Sequence, residues 1–472
     1  MRFPWSKRPV KKRSYVAASS KARFADFSKS ILSPDAELVP ALNTLRARSR
    51  DMVRNNSYAR RWLQLMQDNI VGAAGFAFQT RAKQPDGNMD KFGNAAIEEA
   101  WRTWSTAKVT ADGMMVCREA CNLAVRAWCR DGEAFVQKVY GSQFIDGFAL
   151  HFVEADYIDE TLNRRAANGN DIRMGVEVDK YGGVVAYHVL TQHPGDNTWN
   201  SVQGRKYNRV LAKDMIHVFV KSRPGQTRGE PPMSAVMTDS KLLAGYREAE
   251  ITHRRLAASK MGFFTSEEKN TDLGVLADGN DGADSGYSMD VEPGRMSALP
   301  VGMRFEQFDA SSHSTDYADF EKQILRSMAA GLGVSYNALA MDLEGVSYSS
   351  IRQGALEERD FYRGMQTFFI EQFLQPVFKT WLRYALDFGD IPLPAAKFDK
   401  FYNASKFSGR GWSWVDPQKE INAFKIAREE NMISLTQIAA QQGRDVEETL
   451  NEIEAEKAMI EAKGLDAPPT NV

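Results

Sequence analysis

Apolar side chains recur every three or four residues over 35–70, where Leu38, Leu42, Leu45, Met52, Trp62, Leu65, Met66 and Ile70 mark a helical face. Two more helical patterns fill 97–129, one of them carrying IEEAWRTW. Beyond them the period shortens from near 3.6 to two. The runs EAFVQKVY, FALHFVEADYI, MGVEVDKYGGVVAYHVL and MIHVFV read as strands separated by Gly, Asn and Asp turns. Within them DKYGGVVAYHVL predicts a hairpin, since Gly182 and Gly183 accept the positive φ of a tight turn. The first half is therefore a mixed α+β body.

Helical spacing returns over 233–260 as one unbroken pattern, about 40 Å long at roughly 1.5 Å per residue, opened by Pro231 and Pro232. A second helix is expected over about 316–331. Between the two lies an insertion in which strand-like FFTS and MRFEQF flank the Gly- and Asp-rich TDLGVLADGNDGADSGY. Two helices joined by a small module make a stalk with a tip. The segment GVSYNALAMDLEGVSYSS, 333–350, then breaks helicity, and a long helix resumes from Ile351 to about Ala385 with an expected kink at Pro376. In WSWVDPQKE, Asp416 is placed as an N-cap and Pro417 at the first helical position. An acidic, Ala- and Glu-rich helical remainder follows as far as Gly464.

Length and charge narrow the field. A chain of 472 residues exceeds what one core usually organises, so two or more domains, or one domain with long excursions, are expected. Hydrophobic residues at 43% and charged residues at 26% are ordinary globular usage and exclude a fibrous or wholly disordered chain. With 60 Lys and Arg against 61 Asp and Glu, the net charge of -1 gives no global attraction to nucleic acid or anionic membrane. No apolar run is long enough to span a bilayer and MRFPWSKRPVKKRSYVAASS lacks the apolar core of a signal peptide, so synthesis and use in the cytoplasm are expected. The first 25 residues carry eight basic side chains and no acidic one, which reads as a solvated arm, or as one that touches DNA or an assembly partner. Arginine crowds the next region at 46, 48, 50, 54, 60 and 61. Of these, Arg46, Arg50, Arg54 and Arg61 are the candidate subunit-interface residues, because guanidinium groups bind carboxylates bidentately across interfaces.

The motifs of catalysis are missing. No G-x-x-x-x-G-K-[ST] phosphate cradle occurs, which excludes a packaging ATPase, and neither H-E-x-x-H nor a G-x-S-x-G elbow is present. The histidines at 151, 188, 193, 217, 253 and 313 lie without metal-ligand spacing, and Cys117, Cys121 and Cys129 read as core thiols on one helix. Pro-Asp pairs at 34–35 and 85–86 lack the acid-x-Lys a nuclease would add. The cluster Asp278, Asn280, Asp281 and Asp284 has Met289 where a calcium loop needs Glu. No enzyme, metal or cofactor is expected.

Several separated strings together resemble the lambda-type portal proteins of tailed phages. They are RARSRDMVRNNSYARRW, NIVGAAGF, RDGEAF, HFVEADYID, SRPGQTRGEPPMSAVM, ADFEKQILRSMAAGLGVSYNAL, SYSSIRQGALEERDFYR and WSWVDPQKE, in that order over about 35–430. The resemblance implies a non-enzymatic ring, usually of twelve subunits, at one capsid vertex in the virion. Double-stranded DNA would pass through it without sequence specificity, with terminase, a head-tail completion protein and the capsid or scaffold protein as partners. Beyond the basic arm read from charge at 1–25, the resemblance carried onto this chain implies a wing at 26–232, stem helices at 233–262 and 309–332, and a clip at 263–308. It further implies a tunnel loop at 333–349, a long helix with wing return at 350–410 and a helical crown at 411–472. Asn337, Met341, Asp342, Glu344 and Tyr348 are then the candidate channel residues, and Lys322 and Arg326 the candidate stem residues. A DNA-processing enzyme of the packaging machinery and a generic capsid or scaffold component are the other readings, and an ordinary outer helix connection is the other reading of 333–349.

Overall fold

The computed structural model describes residues 31–196, 205–258, 262–266, 303–307, 317–345, 347–389, 391–412, 417–441 and 446–463. The arm expected at 1–25, the centre of the clip and the Asp416 cap lie outside them. The chain forms two compact units, each built from three separate stretches: 1–50, 78–231 and 369–407 in the first, and 51–77, 232–368 and 408–472 in the second.

In the first unit α1 (Pro34–Leu38) leads into α2 (Leu42–Asn55), which ends in the second unit. After the stretch 51–77, which belongs to the second unit, come strand β1 (Ala77–Thr80), α4 (Lys91–Thr106) and α5 (Cys117–Asp131). Asp90 caps α4 by accepting the Gly93 N–H at 3.0 Å, and in α5 Glu119 reaches back to accept the Val116 N–H at 3.0 Å. All three cysteines are buried on α5, as expected of core thiols. The strand runs form two antiparallel sheets. One has the order β3-β2-β9, from Phe148–Val153, Ala134–Tyr140 and Met215–Val218. The other is the meander β4-β5-β6-β7-β8, from Arg164–Arg165, Asp171–Arg173, Val176–Val178, Val184–Leu190 and Tyr207–Leu211. The expected hairpin joins β6 to β7; Gly182 sits at φ 83°, and Asp179 accepts the amides of Tyr181 and Gly183 at 2.8 Å. Late in the chain α10 (Gln375–Phe388), α11 (Phe398–Ala404) and β12 (Ser405–Ser408) return to this unit, β12 pairing with β1. Trp101 gathers the rings of Phe78, Trp104, Phe378, Trp381 and Phe407 at centroid distances of 5.0–5.5 Å, so the return builds the aromatic core.

The second unit takes the end of α2 and then α3 (Ser57–Ile70), where Asn56 accepts the amides of Tyr58 and Ala59 at 2.9 and 3.0 Å; this cap divides the helical stretch expected over 35–70. A 3-10 turn, Pro232–Val236, precedes α6 (Met237–Ala258). Strands β10 (Gly262–Ser266) and β11 (Met303–Gln307) pair antiparallel, and α7 (Tyr317–Leu332) packs with α6 through Tyr246, Tyr317 and Phe320. The segment expected to break helicity contains a short helix, α8 (Tyr336–Ala340), because Ser335 supplies an N-cap to the Ala338 N–H at 3.2 Å. Helix α9 (Tyr348–Phe369) starts three residues before the expected Ile351. Between α9 and α10 the expected kink at Pro376 is a π-helical turn, Ile370–Leu374, closed by the Gln375 N–H on the Ile370 carbonyl. Widening one turn accommodates a ring that has no N–H to give. Helices α12 (Pro417–Glu429), α13 (Leu435–Gln441) and α14 (Val446–Ala462) close the chain.

Candidate functional site

Helix α7 ends because Gly333 adopts φ 71°. The Gly333 N–H then meets the Ala330 carbonyl at 3.3 Å and the Val334 N–H meets that of Ala329 at 3.1 Å, a Schellman stop. From there α8 is rooted on several sides. Ser335 donates to Glu358 of α9 at 2.9 Å, and the Tyr362 hydroxyl donates to the other oxygen of the same carboxylate at 2.8 Å. From α3, the Trp62 indole donates to the Leu332 carbonyl and the Arg61 guanidinium to that of Ala338, both at 3.1 Å. Leu339 is buried beneath α8 and Asn337 is half-buried on it.

Past α8 the chain turns at Met341, a non-glycine residue at φ 55°. Met341 is 71% exposed and Leu343 66%, and Glu344 is exposed beside them. Asp342 points back instead. It accepts the Tyr336 hydroxyl at 2.7 Å and the Glu344 N–H at 2.9 Å, and the Lys322 ammonium lies at 3.7 Å. Those bonds, the Glu344 amide first and the Tyr336 hydroxyl second, hold the Asp342 carboxyl below the usual range. Burial and then Asp342 push the Tyr336 phenol up to about 12. Lys322 and Arg326 both lie over the Tyr336 ring, at 5.7 and 5.6 Å from its centroid. The structure thus joins the candidate stem residues to one candidate loop residue. Tyr348 is the first residue of α9.

The arginines expected at a subunit interface divide. Arg54 is exposed and Arg61 half-buried against Ala338. Arg46 is fully buried, and its guanidinium serves Glu133 at 3.1 Å and Asp156 within the same unit. This corrects the expectation for Arg46, because its two terminal nitrogens bond carboxylates of its own chain. Arg50 is likewise taken by Asp131 at 2.9 Å, Glu154 at 3.1 Å and Asp156.

These contacts belong to a buried network whose role the motif search did not anticipate. Arg228, with no exposed surface, holds Glu133 through Nε at 2.9 Å and Nη2 at 2.6 Å, and donates onward to the carbonyls of Ile158, Met174 and Ala155. Glu133 also meets the buried imidazole of His217 at 3.0 Å and accepts the Gly229 N–H at 3.1 Å. Burial alone would raise the Glu133 carboxyl; the Arg228 charge and the hydrogen bonds of His217 and Arg228 outweigh it and hold the group far below the carboxylate range. Burial pushes the His217 imidazole down despite Glu133. The loops bearing the pair interlock through glycines: a Cβ on Gly132 would lie 2.3 Å from the Glu230 backbone, and one on Gly229 2.1 Å from the Gly132 carbonyl. One signal was present in the sequence. RARSRDM supplies Arg46 and Arg50, RDGEAF Asp131 and Glu133, HFVEADYID Glu154 and Asp156, and QTRGEPP Arg228.

A description of phage portal proteins of the lambda family matches residues 20–366. The chain belongs to that family. It is a structural, non-enzymatic phage portal protein and a virion component. It is 33% identical to the probable portal protein of Halomonas phage phiHAP-1, over 90% of this chain and 82% of that one. It is 26% identical to portal protein B of Escherichia phage lambda, over 92% of this chain and 87% of the relative. Among solved structures it is similar to a chain in the neck of an empty gene transfer agent particle, with TM-score 0.47 and 11% identity, over 86% of this chain and 93% of the other. Glu154, Asp156 and His193 bring ligand atoms within 4.8 Å of one another, but both carboxylates already bind Arg50, so this portal cluster is an ion-pair knot rather than a cation site. No helix among the described residues is long and apolar enough to cross a membrane.

Proposed function

We propose that this portal chain closes into a ring of twelve at one capsid vertex. The ring is the channel through which double-stranded DNA enters during packaging and leaves at ejection. On this reading 26–232 with 350–410 is the wing, α6 and α7 are the stem, 263–308 is the clip that receives terminase and later the head-tail completion protein, and 411–472 is the crown. Arg54 and Arg61 face the neighbouring subunit.

The observation that carries the reading is the way α8 and its tip are held. A connection between two long helices usually takes about two to eight residues and lies on the surface. Here it is longer, is fastened by Trp62, Arg61 and Glu358 at its root, and presents Met341, Leu343 and Glu344 to the outside. A rigid root with an exposed mixed tip suits a channel wall. A wall of exposed Lys and Arg would bind phosphates through counterion release and stall the moving duplex, whereas Glu344 repels them.

Asp342 is engaged with Tyr336 and Lys322, so Glu344 is the carboxylate to change. Glu344→Lys should leave ring assembly intact and shorten the DNA packaged per particle, most severely at low salt, where phosphate attraction is least screened. Full-length genomes packaged at the unaltered rate at low salt would remove Glu344 from the channel wall.

A further inference from the structure

Lys322 and Arg326 are four residues apart on α7 and so share one helix face. Tyr336 of α8 packs on that face with both cations over its ring. A guanidinium lying against an aromatic ring keeps its N–H edge for an anion. Arg326 is exposed and makes no ion pair among the described residues. The anion that the pair does have is Asp342, 3.7 Å from Lys322 and fixed by the Tyr336 hydroxyl. The same carboxylate accepts the Glu344 amide and so closes the tip, which is turned at the unfavourable φ of Met341.

We propose that Lys322, Arg326 and Tyr336 form a phosphate-contact site on the stem that Asp342 occupies in the resting chain. A backbone phosphate of duplex DNA takes the place of the Asp342 carboxylate and frees the Met341–Glu344 tip. The inference rests on the channel reading of 333–349 and adds a ligand site and a response to it. Partly exposed ion pairs are weak, so the resting contact is readily displaced. The competitor is strong in number: a duplex presents a negative charge about every 1.7 Å along its axis, and each phosphate contact releases counterions. Glu344 repels the duplex at the tip while the cation pair attracts it at the base, so a passing phosphate is held briefly and released. When it leaves, Asp342 returns.

The Glu344 N–H is the direct reporter, because its acceptor is Asp342. Hydrogen–deuterium exchange at that amide is measured in the assembled full-length chain, with and without a short mixed-sequence duplex. Inorganic phosphate at equal total phosphate is the control for a free anion. The duplex should speed exchange about fivefold at low salt, the scale of one surface ion pair, and the effect should fade as salt rises. Inorganic phosphate should do far less, and an equal response to it would overturn the assignment to DNA. Lys322→Ala with Arg326→Gln should abolish the duplex response, and its persistence would overturn the site. Tyr336→Phe, which keeps the ring but not the hydroxyl, should raise resting exchange and still respond. In parallel, Leu343→Cys carrying a photo-crosslinker reports whether the tip meets DNA. Crosslinking with unaltered Glu344 exchange would sink the displacement and leave the channel loop standing. No crosslinking would sink the loop assignment and the site with it.

Discussion

Glu133 shows how a single buried carboxylate can organise a unit. It is fully buried and answers Arg228, Arg46, His217 and a backbone amide, so no substitution removes it without stranding charge. Glu133→Gln should cost about 3–5 kcal/mol, the usual penalty for breaking a buried pair, as read by chemical denaturation. The same network makes stability depend on pH. His217 and Glu133 both have folded-state values below their ordinary ones, so the unfolded chain takes up protons that the fold refuses. Stability should be fully present above about pH 6.5, fall as His217 titrates in the unfolded chain, and fall again below about pH 4.3 through Glu133. His217→Gln should shrink the first loss to the share of His188, which burial also pushes down, and leave the second, in denaturation curves taken across that range. At this scale the sequence was least legible. The arginine crowding at 46–61 was visible, but Arg46 points inward and Arg54 outward, and only carboxylates distant in the chain, Glu133 just before β2 and Asp156 just after β3, decide which.

Elements were more readable than their ends. The two periods separate helices from strands correctly through α4, α5, β2, β3 and β6–β7, because each half-buried element writes its own spacing into the chain. Departures occur where hydrogen bonds rather than apolar spacing set the boundary. Asn56 ends one helix and starts another, Ser335 starts α8 inside a segment that looks like loop, and Pro376 provokes a π turn. Gly333 is the sharpest of these positions. Its φ is positive and a Cβ would lie 3.2 Å from the Phe361 ring. Gly333→Ala should therefore lower stability by about 1–2 kcal/mol from backbone conformation alone. Thermal unfolding with the ring-free neighbour Gly345→Ala as a comparison separates the two contributions, since nothing lies within 4 Å of a Cβ there.

For the whole molecule, periodicity showed the order of parts but not their partnership, and the wing return at 350–410 was implied by the family resemblance alone. The linear divisions expected from periodicity are crossed by contacts: 369–407 returns to complete the aromatic core of the unit that 78–231 begins. Such returns leave no local trace, because Phe378 and Phe407 look like ordinary helix and strand residues until Trp101 is placed beside them. The first 25 residues pose the opposite question: eight basic side chains and no acidic one read as a solvated arm, or as one that touches DNA or an assembly partner, and truncation separates the two. Removing it should leave the oligomer intact, and native mass spectrometry of the truncated chain should show the same closed species as the full one. Monomers and dimers alone would make the arm part of the subunit contact. The interlock of Gly132 with the loop before Pro231 bears also on how the protein is made. While the ribosome is still short of Arg228, the nascent chain has already released Glu133 without the second of its two arginine partners. Completion of the first unit waits further, for 369–407. A growing chain therefore has no finished first unit to offer a neighbour until residue 407 has been translated.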